Sequence, residues 1–415
     1  MTQRDFIVSV ELGSYTLRGL SGRIAGHAPE GFEIIGWAEV PSAGIRRGIV
    51  IDVGEAARGL ERLVGELEAQ MGAKIRGALI AVSGAHLAAA TTKALVAVAR
   101  PDGEIGDEDV RRVEESARAS AIGANRGVLH TLAHEYFVDG EGGVLDPRGM
   151  RGMRLELSAL IISAAAEQLR MLEEVFERAG IDIEAMVAAP LAAAYGAMSQ
   201  RQRELGAMVL DIGGGTTDFA VFEEGRCLHA GVIPLGGSHI TNDLAIGMRT
   251  SVEVAEQAKH TFGTATTQNL GRERIELPED IPQGEPFPRR QLVEIIEARL
   301  EELLELAENE LKQIGRVRLL PGGVILTGGT ANLPKITELA RKHLKLPAAV
   351  GTPQVSTLPT GMAGNPAFTT PIGVLFMAMQ ERDIRKGSRL SLPGFSSLPQ
   401  GMSGRIKKLF GSILP

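Results

Sequence analysis

The chain has 415 residues, 44% hydrophobic and 23% charged, with a net charge of −7 and a single cysteine, Cys227. That length accommodates two to four domains with substantial cores, and the composition excludes a fibrous or broadly disordered chain. One cysteine excludes an intramolecular disulfide, and the acidic balance argues against a nucleic-acid-binding body. With charges in its first residues and no apolar run of spanning length, the expectation is a cytoplasmic protein that does not cross a bilayer.

Residues 5–24 read as two strands and 32–40 as a third. Residues 54–71 form an amphipathic helix with Ala57, Leu60, Leu63, Val64 and Leu67 at helical spacing, and 77–84 (GALIAVSG) is a buried strand. Residues 85–165 carry short strands, a helix over 107–121 begun by Asp107 and a glycine-rich loop at 140–152, and read as a compact insertion. A helix (167–179), a strand (181–188) and a helix opened by Pro190 follow. Strands run to about 235, and 238–262 is helical. A proline-rich loop precedes a long helix at 290–314, with Leu292, Ile296, Leu300, Leu303 and Leu311 on one stripe. Residues 323–336 are a strand, a glycine turn and a new helix, and 370–382 is the last globular helix.

VLDIGGGTTDFAVF at 209–222 is the most informative segment: a strand, a tight glycine turn and a returning strand. Gly213, Gly214 and Gly215 can take positive φ and bring backbone N–H groups to a phosphate; Thr216 adds a hydroxyl, and Asp211 can hold Mg²⁺ through water. FIVSVELGSYTLRGL repeats the plan at the N-terminus with Glu11, Gly13 and Ser14. Two such hairpins predict a duplicated core clamping one polyphosphate from both sides.

In order, VELGS, PLAAAYGAM at 190–198, VLDIGGGTTD and VILTGG resemble the phosphate, connecting and adenosine segments of the actin, Hsp70 and sugar-kinase superfamily. Within it the chain resembles the bacterial cell-division FtsA family from about residue 6 to 382, through SGAH at 83–86, VLHTLAHEYFVDG and DPRGMRG within 128–152, and GGSHITNDLAIGMRT at 236–250. The resemblance implies an α/β, actin-like fold of two duplicated RNase H-like domains around a nucleotide cleft. Subdomain 1A would comprise 1–83 and 166–200, an inserted α+β subdomain 1C 84–165, subdomain 2A 201–240 and 318–384, and subdomain 2B 241–317. It further implies ATP and Mg²⁺ as cofactors, self-assembly into filaments, and anchoring of FtsZ at the inner face of the cell membrane at the division site, with other divisome proteins meeting subdomain 1C. Gly13, Ser14 and Tyr15 would approach the phosphates from one lobe, and Gly213, Gly214, Gly215 and Thr216 from the other. Glu11 and Asp211 would face Mg²⁺ through water, Glu256 and Lys259 would meet ribose and adenine, and Gly328 and Gly329 would pass beneath the adenosine. Arg299 and Glu302, reading as an outward pair, would fall on the 2B surface that docks the FtsZ C-terminal peptide.

One departure bears on chemistry. Actin-like hydrolases carry Glu or Gln just before the proline of the first connecting helix to position water, and Ala189 stands there. Tight ATP binding with slow or negligible hydrolysis is expected, and no catalytic residue is assigned beyond Asp211 as a candidate. Residues 385–403 read as a linker. In the tail, Ile406, Leu409, Phe410, Ile413 and Leu414 follow helical spacing, with Arg405, Lys407 and Lys408 elsewhere on the wheel, as in an interfacial helix on anionic lipid. His130 and His134 would share a strand face, but without a third ligand they do not make a metal site. Competing readings are a PilM-like type IV pilus protein and a sugar-kinase-type phosphotransferase.

Overall fold

A computed structural model describes residues 6–24, 32–275 except 122 and 124, and 287–385 except 354, 356 and 357; the side chains of 380–385 lie outside that description. β1 (Phe6–Leu12) turns at Gly13–Tyr15 into β2 (Thr16–Ile24), and β3 (Phe32–Pro41) pairs with β2, both pairings antiparallel. A small hairpin of β4 (Ile45–Arg46) and β5 (Ile49–Val50) leads to α1 (Val53–Met71). The Asp52 carboxylate accepts from the Glu55 N–H at 2.9 Å to open α1, and Gly72 closes it at φ 62°. α1 buries Leu60, Leu63 and Leu67 against the sheet, and β6 (Gly77–Val82), buried along its whole length, joins β1 in parallel.

The inserted segment builds its own antiparallel sheet from β7 (Ala88–Ala97), β8 (Arg126–Val138), β9 (Glu141–Val144) and β10 (Arg154–Ala165), in the order β7-β10-β8-β9. Its helix, α2 (Asp107–Ala121), lays Val110, Val113 and Ala117 on Leu155, Leu157 and Tyr136, so the insert has a separate core. The expected shared face of His130 and His134 is not formed. β8 bulges opposite Ser158 and Ala159, which pair with Glu135 and Ala133, so the intervening His134 is turned out of phase. His130 is buried and accepts from the Ala188 N–H at 2.9 Å, whereas His134 donates to the Cys227 carbonyl at 2.8 Å.

The first sheet is completed by α3 (Ala166–Arg178), β11 (Asp182–Ala188) and α4 (Ala189–Ala197), with Pro190 in the first turn of α4. The second lobe opens with α5 (Gln200–Leu205), β12 (Ala207–Ile212), β13 (Thr217–Glu223) and β14 (Arg226–Ile233). The helical stretch expected over 238–262 is two helices: α6 (Gly237–Met248) stops at Arg249, which sits at φ 55°, and α7 (Val252–Phe262) restarts under the Ser251 hydroxyl. A serine cap and a left-handed residue side by side break one helical pattern into two. Then come β15 (Arg274–Ile275), β16 (Phe287–Pro288), α8 (Arg289–Gln313), β17 (Gly323–Thr327), α9 (Ile336–Leu344), β18 (Ala348–Val350) and α10 (Thr369–Arg385).

The two large sheets have one plan. The first reads β3-β2-β1-β6-β11 and the second β14-β13-β12-β17-β18, each an antiparallel meander followed by two parallel strands. Strand alternation divides the second lobe's core: Ala207, Val209, Ala220 and Phe222 join the first lobe's core, while Met208, Leu210, Phe219 and Val221 pack with α6, α8 and α9. α10 packs on α4 and β1, so the last described helix belongs to the layer between the sheets. Among the described residues no helix is long and apolar enough to cross a membrane.

Candidate functional site

The duplication places the two glycine turns tip to tip. Ser14 Oγ accepts from the Gly48 N–H at 2.9 Å and lies so near Gly215 that a Cβ there would stand 2.7 Å from it; a Cβ on Gly214 would stand 2.9 Å from Tyr15 Cβ. None of Gly213, Gly214 and Gly215 adopts positive φ, contrary to the reason the sequence offered for them. They are glycine because two backbones and a helix start converge there: the Gly213 carbonyl accepts from the Gly237 N–H at 2.9 Å and the Gly214 carbonyl from the Ser238 N–H at 2.8 Å. Gly13 is constrained in the same way, by the Thr16 carbonyl 2.5 Å from where its Cβ would be.

Around these turns opens a cleft of about 410 Å³, lined from both lobes, within the roughly 300–1,000 Å³ of small-molecule sites. Glu11, Gly13, Ser14, Tyr15, Arg18 and Ser83 line it from the first lobe, and Asp211, Gly213, Gly214, Gly215, Thr216, Asp218, Glu256, Lys259 and Gly329 from the second.

Three carboxyls crowd the floor. Burial pushes Glu11 up to about 7, against the pull of Arg18, whose guanidinium is 3.8 Å away, and with a further push from Asp211. Burial also raises Asp211, opposed by the Thr370 hydroxyl that bonds it and by Arg18. Asp218 rises well above the usual carboxylate range through burial and the Asp211 charge, although Ser83 donates to it. Acids that resist ionising together attract a cation. Buried carboxyls of this kind, held apart from one another, are the chemistry that would hold a divalent ion such as Mg²⁺ through its water shell.

On the wall, Lys259 is only 7% exposed and donates to Glu256 at 2.6 Å and to Thr241 Oγ1 at 2.9 Å. Thr241 also bonds Glu256, and the His260 ring stands 3.0 Å from it. This is a held network, distinct from the solvated pair that i,i+3 spacing alone would give. Gly328 and Gly329 separate in role. Gly329 lines the cleft, while Gly328, at φ 83°, passes directly behind Asp211, where a Cβ would strike Oδ1 and the Ile212 carbonyl.

Arg299 and Glu302 stand apart from the cleft on α8, paired at 2.5 Å, with Arg299 also donating to Asp243 on α6 at 2.6 Å. Ala189, 2% exposed at the start of α4, brings no polar group to the cleft. The tail residues Arg405, Ile406, Lys407, Lys408, Leu409, Phe410, Ile413 and Leu414 lie outside the described residues. Sequence reasoning missed Arg18 and Ser83 as cleft residues. Arg18 has a signal in hindsight, since it pairs directly across the β1–β2 hairpin from Glu11; Ser83 has none short of the fold.

A family model described as "Cell division protein FtsA" matches residues 208–373, and one described as "SHS2 domain inserted in FTSA" matches 84–163. The cell division protein FtsA of Pseudomonas aeruginosa is 33% identical over 94% of this chain and 93% of its own length. Among solved structures, one of a PilM-PilN type IV pilus biogenesis complex is similar with TM-score 0.64 at 17% identity, covering 90% of this chain and 98% of that one. MreB5 of Spiroplasma citri bound to ADP is similar with TM-score 0.55 at 13% identity, over 93% and 100%. At those identities the two structures speak for the fold alone.

Proposed function

The chain belongs to the FtsA family of cell-division proteins and has an actin-like fold, and from that premise we propose that it binds ATP with Mg²⁺ in the cleft between its lobes and polymerises on the cytoplasmic face of the membrane, where it tethers FtsZ filaments. One observation carries the nucleotide reading: the two glycine turns touch, the Ser14 side chain against the Gly215 backbone and Tyr15 Cβ against Gly214, beside buried Glu11, Asp211 and Asp218. A polyphosphate is the ligand that rewards opposed backbone turns and a carboxyl floor for a hydrated cation.

In this reading Gly13, Ser14, Gly213, Gly214, Gly215 and Thr216 hold the phosphates. Glu11 and Asp211 hold the water shell of the ion, and the Glu256, Lys259 and Gly329 wall receives the nucleoside. Bound Mg²⁺ would supply charge neutralisation between phosphates. The Ala189 position lacks a water-orienting group, so the nucleotide serves lobe closure and polymer contacts more than turnover. The tail, with three cations among its apolar residues, binds anionic lipid weakly alone and firmly when a filament presents many copies. Arg299 and Glu302 mark the surface for the FtsZ C-terminal peptide, and the inserted subdomain meets further division proteins. A pilus role is not favoured by any observation on this chain, since the likeness to PilM is one of fold.

Co-sedimentation with anionic liposomes, with and without ATP, tests the proposal. The full chain should pellet more with ATP, and a chain ending at Gln400 should stay in solution and still bind ATP. Equal pelleting of both chains, or no effect of ATP, would sink it.

A further inference from the structure

Of the large apolar side chains that stand exposed among the described residues, only Tyr15 and Val252 line the cleft, Tyr15 with 60% of its surface open and Val252 with 49%. They come from opposite lobes. Tyr15 sits in the β1–β2 turn, where its carbonyl accepts from the Ser42 N–H at 3.0 Å, so its backbone is anchored while its ring is not. Val252 begins α7, one turn ahead of Glu256. Tyr15 lines the same cleft as Val252, Glu253 and Glu256 of that helix. Exposed apolar surface on opposite walls of one cleft is costly in water and loses that cost once the walls close over something between them.

We propose that Tyr15 and Val252 are the two lips of a gate that closes over a bound nucleotide and sets the rate of its release. The inference rests on the nucleotide reading above and adds to it a release mechanism. Both side chains are largely exposed where they line the cleft, Val252 in the first turn of α7, so neither belongs to a lobe's buried core. The ring provides the cover, so the hydroxyl is dispensable.

The test is stopped-flow release of a ribose-labelled fluorescent ATP, with Mg²⁺, chased by excess ATP, for the unsubstituted full chain and for Tyr15→Ala, Tyr15→Phe and Val252→Ser. Release should quicken about tenfold in Tyr15→Ala, the equivalent of about 1.4 kcal/mol. It should quicken about threefold in Val252→Ser and stay within about twofold in Tyr15→Phe, while association changes little in all three. Release from Tyr15→Ala at the unsubstituted rate overturns the gate, as does Tyr15→Phe releasing as fast as Tyr15→Ala, which would assign the effect to a hydroxyl contact. Saturable binding with unchanged release refutes the gate alone, whereas no binding by the unsubstituted chain refutes the nucleotide reading with it.

Discussion

Ser83, the residue after β6 of the first lobe, donates its hydroxyl to both carboxylate oxygens of Asp218 in the second lobe, at 2.8 Å each. The bond crosses the cleft floor and joins two residues 135 apart in the chain. Asp218 is buried, and burial is what raises it, so the serine is a partner the acid cannot lose cheaply. Ser83→Ala should lower stability by about 1–3 kcal/mol in urea denaturation, and Ser83→Thr should recover most of it. Equal stability of Ser83→Ala and the parent would mean that water replaces the hydroxyl and that the lobes are not tied there.

Hydrolysis should be slow. On the actin-like reading of the sequence, Ala189 stands where a Glu or Gln would orient water, and it is buried without a polar group. Phosphate release by the purified chain with ATP and Mg²⁺ is expected well below one turnover per second; several per second would show that another cleft residue does the work.

The joint between α4 and α10 has no spare volume. A Cβ on Gly373 would penetrate the Ala192 carbonyl, and one on Gly196 the Thr369 carbonyl, so backbone meets backbone. Gly373→Ala should therefore cost about 3 kcal/mol or more, since neither wall is a flexible side chain. Gly65, exposed on α1 with open space where its Cβ would go, is the control. Gly65→Ala should stabilise by about 0.5–1 kcal/mol. Thermal melts of the two variants decide it, and a tolerated Gly373→Ala would refute the close packing.

His86, in the SGAH stretch, makes the fold acid-sensitive. Burial, with the nearby Arg126 charge, lowers its pKa to about 4. The unfolded chain takes up that proton near pH 6.5 and the folded chain only near 4, so the stabilisation is complete above pH 6.5 and disappears as the pH falls through that window. Its size is on the order of 2 kcal/mol. Melting temperature should fall between pH 6.5 and 4 in the parent and fall less in His86→Gln; parallel pH profiles would remove His86 from the account.

The order of elements and the duplicated plan were legible because each rests on local patterns. Short apolar runs on either side of a glycine turn mark β12 and β13, a helical stripe marks α8, and glycine with hydroxyls marks the two turns. Less legible was the break between α6 and α7, where Arg249 takes a conformation a side chain rarely adopts, and the bulge in β8 that sends His130 and His134 apart. The bulge depends on pairing with β10, outside its own segment.

By itself the sequence determined the family and the paired turns, with Glu11, Gly13, Ser14, Asp211, Gly213, Gly214 and Gly215 that line the cleft, because a glycine turn between two strands is written in consecutive residues. Only the tertiary structure decided that Ser83 meets Asp218, that Lys259 is buried in a network with Thr241 and Glu256, and that Gly328 makes room for Asp211. Apart from the Glu256–Lys259 neighbours, those pairings join residues that chain order keeps apart. Burial and distance across a cleft are properties of two lobes packed together, and no window of the chain contains both sides.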